Sequence, residues 1–445
     1  MPTRRDLLLT GGLLAAGSAF AASPAVQAQS HAGHAAPAVP AQSPKASVAA
    51  TATATPPSAA TVITPPPANG AYHPVVTPNG RSLPAVVRNG VKEFHLIAEP
   101  VQREFAPGTV VNCWGYNGQT PGPTIEAVEG DRVRILVTNK LPEWTTVHWH
   151  GIRLPCGMDG VGGLTQPHIP PGRTAVYEFT LRDPGTYMYH PHADEMVQLA
   201  MGMMGFFIVH PRSVASHRVD RDYCVMLHAF DVEPGAAMPK TATMLDFNLW
   251  TFNSRIWPGT DFLVAGQGER VRIRIGNLSM TSHPIHLHGY HFRQTATDGG
   301  WIPEGAQWPM TTMNVPVGST AAMEFAADAP GDWALHCHKS HHTMNAMGHA
   351  TPNMIGVDEA PVAARIAELL PQSMAMGSSG MAEMATMNMP LPDNTVPMMA
   401  GQGPFGPVEM GGMFTVLKVR SDLAAGDYRD PGWYRHPAGT IARLL

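Results

Sequence analysis

Four histidine pairs of the form His-X-His are the residues of this chain best suited to chemistry. They are His148 and His150, His190 and His192, His286 and His288, and His336 and His338. With 22 histidines in 445 residues, random placement would give about one such pair, which gauges the false-positive risk of the motif. Residues i and i+2 of a β-strand face the same side, so each pair can direct two imidazoles at one metal cluster. Eight such ligands suit three metal ions.

A single pair could equally be two hydrogen-bonded core histidines, the usual state of a buried imidazole. Four pairs, each in a similar sequence frame, favour the ligand interpretation. The other histidines of the folded region are interpreted as ordinary residues, among them His168, His210, His217, His228 and His291.

Cys337 lies between His336 and His338, and strand alternation turns its side chain to the opposite face. The thiolate must therefore bind a different metal ion from the one that His336 and His338 bind. A thiolate, two imidazoles and a distant thioether form the blue-copper electron-transfer site. The ligands expected to complete it are His283, His342 and Met347. An electron on that copper would have a covalent path of one residue to the flanking histidines.

Short alternating strands must position these residues. Runs such as 132–137 and 175–179 alternate apolar and polar side chains, and 44 Gly and 43 Pro supply turns. This pattern is typical of an antiparallel β-sandwich. The second half repeats the first, because residues 270–277 lead to a His-X-His-Gly as residues 132–139 do. The sequence therefore predicts an all-β chain of two tandem sandwich domains.

The predicted organisation has five segments. They are an export signal (1–28), a disordered Ala/Pro-rich leader (29–84), domain 1 (85–212), domain 2 with the blue copper (213–362), and a Met-rich segment and tail (363–445) with one more strand near 414–419. Arg4 and Arg5 before a short apolar run indicate twin-arginine export to the periplasm. The alternative, a membrane anchor, is disfavoured because the run is too short to span a bilayer. The net charge of -5 does not indicate the positive surface that binds nucleic acid.

At these residues the sequence resembles the multicopper oxidases, the family of laccases, ascorbate oxidase and cuprous oxidases. The matching motifs are His148-Trp149-His150-Gly151, His190-Pro191-His192, His283 to Gly289, and His336-Cys337-His338 through His342 to Met347. The resemblance covers about residues 85–358 and implies two cupredoxin-like Greek-key domains. It also implies four coppers per functional unit: one type 1, one type 2 and two type 3.

The resemblance assigns a role to each ligand position. His148 and His286 match type 2 ligands, and His283, Cys337, His342 and axial Met347 match type 1 ligands. The type 3 pair matches His150, His190, His192, His288, His336 and His338. Asp159 matches a carboxylate that delivers protons to reduced oxygen, although it could simply stabilise a turn.

Three departures from the family pattern matter. Pro191 stands where a first-domain type 1 cysteine would sit, so only one blue copper is expected. Thr343 stands where some members carry an acid, which leaves the proton path incomplete. With two domains the chain looks like the small laccases, whose cluster forms between subunits of a homotrimer.

The function expected is coupling of one-electron substrate oxidation to four-electron reduction of dioxygen. Thioethers favour Cu(I), and Cu(I) oxidation is therefore favoured as the activity. The thioethers are Met201, Met203, Met204, Met374, Met376, Met381, Met384, Met387, Met389, Met398, Met399, Met410 and Met413. These methionines could instead be flexible filler. Phenol or Mn(II) oxidation and a non-enzymatic copper carrier are the alternatives, and a nitrite reductase is disfavoured.

Cys113, Cys156 and Cys224 could be free thiols or include a bridge.

Overall fold

The computed structural model describes residues 72–213, 217–233, 235–242, 247–344, 365, 368–369, 393–396 and 401–444. By contacts the chain divides into Met1–Thr55 and Pro56–Leu445, and every described residue belongs to the second unit. The export signal, the leader up to residue 71, Met347 and most of the Met-rich segment lie outside the described residues. The last part of the predicted leader, residues 72–84, packs into the fold, because Val75 and Val76 are buried and Val76 forms a bridge with Tyr223. In the described part, no helix has both the length and the apolar composition needed to cross a bilayer.

The first sandwich consists of two sheets, with strand orders β1-β2-β5-β7 (β3 pairs with β2) and β4-β9-β8-β6. Its strands are β1 Val86–Arg88, β2 Val91–Ala106, β3 Thr109–Tyr116, β4 Ile125–Val128, β5 Arg132–Asn139, β6 His148–His150, β7 Thr174–Thr180, β8 Gly185–His190 and β9 Gly205–His210. One helix, α1 Glu195–Ala200, follows β8, and a 3-10 turn spans Cys156–Met158. Alternating inward residues such as Phe94, Ile135 and Trp149 fill the space between the sheets.

The second sandwich has the sheet orders β11-β10-β13-β19-β15-β16 (β17 pairs with β15) and β12-β23-β20-β14-β18, beside a small β21-β22 ribbon. Its strands are β10 Arg221–Phe230, β11 Leu249–Phe252, β12 Leu263–Gly266, β13 Arg270–Asn277, β14 His283–Leu287, β15 Phe292–Thr297, β16 Gly300–Trp301, β17 Pro309–Met310, β18 Thr312–Val315, β19 Thr320–Ala326, β20 Gly331–Cys337, β21 Gln402–Gly403, β22 Gly406–Pro407 and β23 Phe414–Arg420. Two 3-10 turns span Glu304–Ala306 and Ser340–Thr343.

Strand pairing shows that the two sandwiches are copies of one fold. The parallel pair β2–β5 and the antiparallel pair β5–β7 of the first correspond to β10–β13 and β13–β19 of the second. On the opposite sheet, β6–β8, β8–β9 and β4–β9 correspond to β14–β20, β20–β23 and β12–β23. The prediction of two tandem sandwiches is confirmed. The C-terminal strand β23 lies inside the second sandwich, between β12 and β20.

A shared apolar core joins the two sandwiches. Phe105 and Phe206 from the first pack with Phe230 and Leu249 from the second. A buried ion cluster lies at the same junction, where Asp222 accepts hydrogen bonds from Arg272 at 3.0 Å and from Arg274 at 2.8 and 2.9 Å. Arg274 also donates to Thr186 Oγ1 on β8 at 2.8 Å. This junction holds the strand that ends in His190 against the second domain.

Candidate metal centre

His283, Cys337 and His342 form a buried group in the second sandwich. Strands β14 and β20 pair at Ile285 and Cys337, and the turn Ser340–Thr343 brings His342 back toward them. Cys337 Sγ lies 3.6 Å from His283 Nδ1 and 3.4 Å from His342 Nδ1, and the two nitrogens are 3.0 Å apart. The three ligand atoms are therefore close enough to hold one metal ion. A thiolate with two imidazoles suits copper.

Burial keeps these imidazoles neutral and ready to bind metal. Desolvation, reinforced by the nearby Lys339, lowers the pKa of His283 to about 3. Desolvation, reinforced by His283 and His341, lowers the pKa of His342 to about 2. The same burial raises the pKa of the Cys337 thiol to about 11. A metal ion that binds here must therefore displace the thiol proton, so binding should be coupled to proton release.

Ser279 contacts this group, although the motifs did not identify it. Its Oγ lies 2.6 Å from His283 Nε2, the ring nitrogen that faces away from the thiolate. Ser279 Oγ also hydrogen-bonds to Asn277 Oδ1 at 2.8 Å, so the hydroxyl is itself held in place. A partner on the outer nitrogen fixes the orientation and tautomer of a ligating imidazole. Nothing in the local spacing distinguishes this serine from others in turns.

The histidines of the first sandwich converge as one set. Strands β6 and β8 pair His148 with His190, and His150 Nδ1 lies 3.2 Å from His190 Nε2. The ring of His192 lies 5.7 Å from that of His148. Backbone carbonyls of Asp159 and Pro191 lie 2.8 and 2.9 Å from the Nδ1 atoms of His148 and His190. With Nδ1 engaged in this way, Nε2 is the ligand atom that each of these two rings would offer to a metal ion.

The second sandwich repeats this arrangement with its own set. Strands β14 and β20 pair His286 with His336, and His288 Nε2 lies 3.1 Å from His336 Nε2. The ring of His338 lies 5.4 Å from that of His286. The carbonyls of Thr311 and Cys337 lie 2.6 and 2.9 Å from the Nδ1 atoms of His286 and His336. Cys337 itself faces the opposite side of β20, toward His283 and His342.

The two four-histidine sets stay apart within one chain. Ring contacts connect the members of each set, and within the described ranges none connects one set to the other. His288 and His338 are exposed. In the first-domain set His190 is buried and the other three histidines are half-buried, so the second-domain set is the more accessible of the two.

Carboxylates lie beside the first-domain set. Asp159 Oδ1 is 3.6 Å from His148 Nδ1, and the proton-delivery role of Asp159 stays a prediction. Glu195, which the motifs did not single out, lies 3.6 Å from His190 Nδ1 and 3.9 Å from His192 Nε2. It begins α1, directly after the second histidine pair. Thr343 Oγ1 donates to the Ser340 carbonyl, within its own turn.

Other residues discussed in the sequence have structural positions. Cys113 and Cys224 are buried free thiols, and Cys156 is an exposed one, so the alternative of a bridge among them is not realised. His210 pairs with buried Glu126 at 2.9 Å, and His228 lies between two backbone carbonyls. Both are interior histidines, as interpreted from the sequence.

The fold and donor set define a copper protein of the cupredoxin type. Two family models described as multicopper oxidase match residues 98–214 and 233–355, together more than half of the chain. The chain belongs to the multicopper oxidase family, and its His/Cys donor groups fit the copper that this family implies.

Curated relatives and a solved structure extend this comparison. Copper resistance protein A of Escherichia coli is 31% identical over 252 residues, which cover 44% of this chain and 41% of that protein. A probable nitrite reductase-hydroxylamine oxidoreductase fusion protein of Kuenenia stuttgartiensis is 28% identical over 274 residues, covering 58% of this chain and 31% of that protein. The alignments thus span less than half the length of these relatives. The blue copper oxidase of Nitrosomonas europaea superimposes with a TM-score of 0.55 at 25% identity, covering 74% of this chain and 85% of that chain.

Proposed function

We propose that this protein oxidises its substrate one electron at a time and reduces dioxygen to water, with Cu(I) as the favoured reductant. Four oxidations balance the reaction O₂ + 4H⁺ + 4e⁻ → 2H₂O. The observation that carries the proposal is the position of Cys337, between two histidines of one set and in contact with a separate ligand group. One residue of chain thus connects an electron-entry group to a dioxygen-binding set.

Four coppers fit the donors of the chain. His283, Cys337 and His342 would hold the type 1 ion with Met347, and His148 and His286 the type 2 ion. The type 3 pair would take His150, His190, His192, His288, His336 and His338. When bound, the type 1 ion supplies one-electron oxidation and the other three supply dioxygen reduction. Burial lowers the pKa of His190 to about 3 and that of His336 to about 4, which keeps these two imidazoles neutral. Asp159, beside His148, would deliver protons to reduced oxygen.

The preference for Cu(I) rests on two observations. Relatives named copper resistance protein A match this chain, and the Met-rich segment ends beside the type 1 group. At its end, Met413 N donates to the His342 carbonyl at 3.0 Å and Met413 O accepts from Cys337 N at 3.1 Å. Soft thioethers are the side chains that bind Cu(I). Phenols and Mn(II) are the alternative reductants.

Oxygen uptake by the copper-loaded mature protein tests this proposal. The protein is given Cu(I), Mn(II) or a methoxyphenol in turn, and the Cys337→Ser variant measures background oxidation. We expect fast uptake with Cu(I) that the variant loses. No uptake with any reductant, despite full copper loading, would favour a copper carrier instead.

A head-to-tail homotrimer would complete the cluster, because each chain then offers its first-domain set to the second-domain set of a neighbour. Large apolar side chains support this arrangement. Leu164 is 80% exposed on the loop whose Gly162 N–H faces the His192 carbonyl, and Trp308 is 73% exposed three residues before Thr311. Equilibrium sedimentation should give three chains, and Leu164→Asp should release monomers without activity. A wild-type monomer that reduces dioxygen would refute the trimer.

Export to the periplasm by the twin-arginine route is part of the proposal and rests on Arg4 and Arg5. Mass spectrometry of the mature protein should find an N-terminus near residue 29, and replacement of both arginines by lysine should abolish processing. An intact Met1 on the periplasmic protein would contradict this.

A further inference from the structure

The two imidazoles beside Cys337 are held in different ways. His283 has Ser279 Oγ on its outer nitrogen at 2.6 Å. The corresponding Nε2 of His342 is buried away from water and has no hydrogen-bond partner within the described part of the chain. Ligating histidines almost always give that second nitrogen to a carboxylate, a carbonyl or a water. The orientation of His342 therefore needs another source.

The indole of Trp250 lies flat against this imidazole. The centroids of Trp250 and His342 are 3.7 Å apart and their planes differ by 18°. This is the shortest separation among the aromatic ring pairs of the described residues, the next being 4.1 Å. A face-to-face contact of this kind restricts ring rotation and is worth more than its buried area alone.

Trp250 also borders His283, the other histidine of the group, and the neighbouring His341. Its ring lies edge-on to His283 at 5.8 Å and to His341 at 6.0 Å. Only 8% of the Trp250 side chain is exposed. The indole therefore covers both ligating imidazoles and separates them from solvent.

The backbone beneath Trp250 is fixed. Strand β11 pairs with β10 at Ala229 and Trp250, and the neighbouring Thr251 Oγ1 donates to the His228 carbonyl at 3.0 Å. Strand β11 belongs to the sheet opposite the one that carries Cys337 and His283. Trp250 thus reaches across the sandwich and couples the type 1 group to the second sheet.

We propose that Trp250 is the positioning residue of His342, and that its stacked indole fixes the orientation of this imidazole and excludes water from the type 1 group. The proposal rests on the type 1 role assigned above. It predicts that Trp250 affects the reduction potential of the type 1 ion as well as the affinity for it. The oxidised ion with its thiolate carries one positive charge and the reduced one carries none, so exclusion of water favours reduction.

Copper titration and redox titration of three variants test the inference. Trp250→Leu removes the stacked ring, Trp250→Phe keeps an aromatic face, and Trp433→Leu is the matched control, because Trp433 packs over Lys418 in a different cluster. The affinity for the type 1 ion is measured by competition with a chelator, and its potential from the thiolate absorption band. Circular dichroism and type 2 and type 3 copper content check folding.

We expect Trp250→Leu to bind the type 1 ion at least tenfold more weakly, in the range typical of lost outer partners. Its potential should fall, and a tenfold change in the one-electron equilibrium corresponds to 59 mV. Trp250→Phe and Trp433→Leu should stay near wild type. A Trp250→Leu protein with unchanged affinity and potential would overturn the inference. If wild type itself binds no thiolate-ligated copper, the proposed function fails instead.

Discussion

The buried carboxylate of Asp222 gives a quantitative test of how the two sandwiches are joined. Asp222 is 3% exposed and bonds to the guanidinium groups of Arg272 and Arg274. Burial alone would raise its pKa, but the two cations outweigh this effect and hold the pKa at about 2 instead of 3.8. The group is therefore fully charged at neutral pH.

Among the described residues, Asp222→Ala should leave buried Arg274 without a carboxylate partner, with a hydrogen bond to Thr186 and the ring of Trp301 remaining, whereas Arg272 keeps Glu324. Loss of one partner of a buried ion pair costs roughly 3 to 5 kcal/mol because a buried charge is left uncompensated. For domains of this size that corresponds to a fall in Tm of about 10 °C. Calorimetry at pH 7 measures it.

Glu178→Ala is the matched control. Glu178 also holds two arginines, Arg132 and Arg134, on the face of a sheet, but this cluster is open to solvent. Surface pairs contribute little to stability, so we expect a small change. Equal falls in Tm for the two variants would refute the argument from burial. The pH dependence gives a second check. Because the pKa of Asp222 is depressed in the folded state, its carboxylate contributes fully to the free energy of unfolding above about pH 3.8, and this contribution is lost as the pH falls through about 2.

Three further predictions follow from the ligand groups and the core. Ser279→Ala should weaken type 1 copper binding by about 10- to 100-fold, measured by competition with a chelator, because His283 loses the hydroxyl 2.6 Å from Nε2; unchanged affinity would contradict the role. Removal of copper should lower the free energy of unfolding by about 2.7 kcal/mol relative to copper at 100 times Kd, and Tm should depend on the copper concentration; Cys337→Ser should show a smaller effect. Burial lowers the pKa of His228 from its ordinary value of 6.5 to about 4, despite hydrogen bonds to two carbonyls. The contribution of neutral His228 to the free energy of unfolding is therefore complete above pH 6.5 and is lost as the pH falls from 6.5 to 4. The apoprotein should therefore lose about 2 kcal/mol from this residue between pH 7 and 5, and His228→Gln should flatten the Tm–pH profile.

Much of the fold followed from local pattern. Alternation in residues 132–139 and 270–277 predicted β5 and β13, and the repeated frame predicted two sandwiches. The His-X-His spacing predicts which histidines share a face because side chains alternate between the two faces of any β-strand, whatever its sequence. For the same reason, the sequence predicted that Cys337 would face away from His336 and His338.

The supporting residues could not be predicted in this way. Trp250 approaches His342 from the opposite sheet, and Ser279 and Glu195 reach their histidines from a turn and a short helix. Such contacts depend on the packing of distant segments, and a single sequence contains no periodic signal for them. Strand β23 was expected in a tail, yet it lies between β12 and β20 after a long insertion. Its partners are set by sheet order, which the local pattern does not specify.

The ratio of reductant consumed to dioxygen consumed tests the central claim most directly. Stopped-flow measurement on the fully copper-loaded protein, with a one-electron reductant and a peroxide probe, should give four electrons per dioxygen and no peroxide. Cys337→Ser, with its two histidine sets intact, should lose this turnover. A ratio of two with stoichiometric peroxide, or full turnover in the variant, would contradict a cluster that receives its electrons through Cys337.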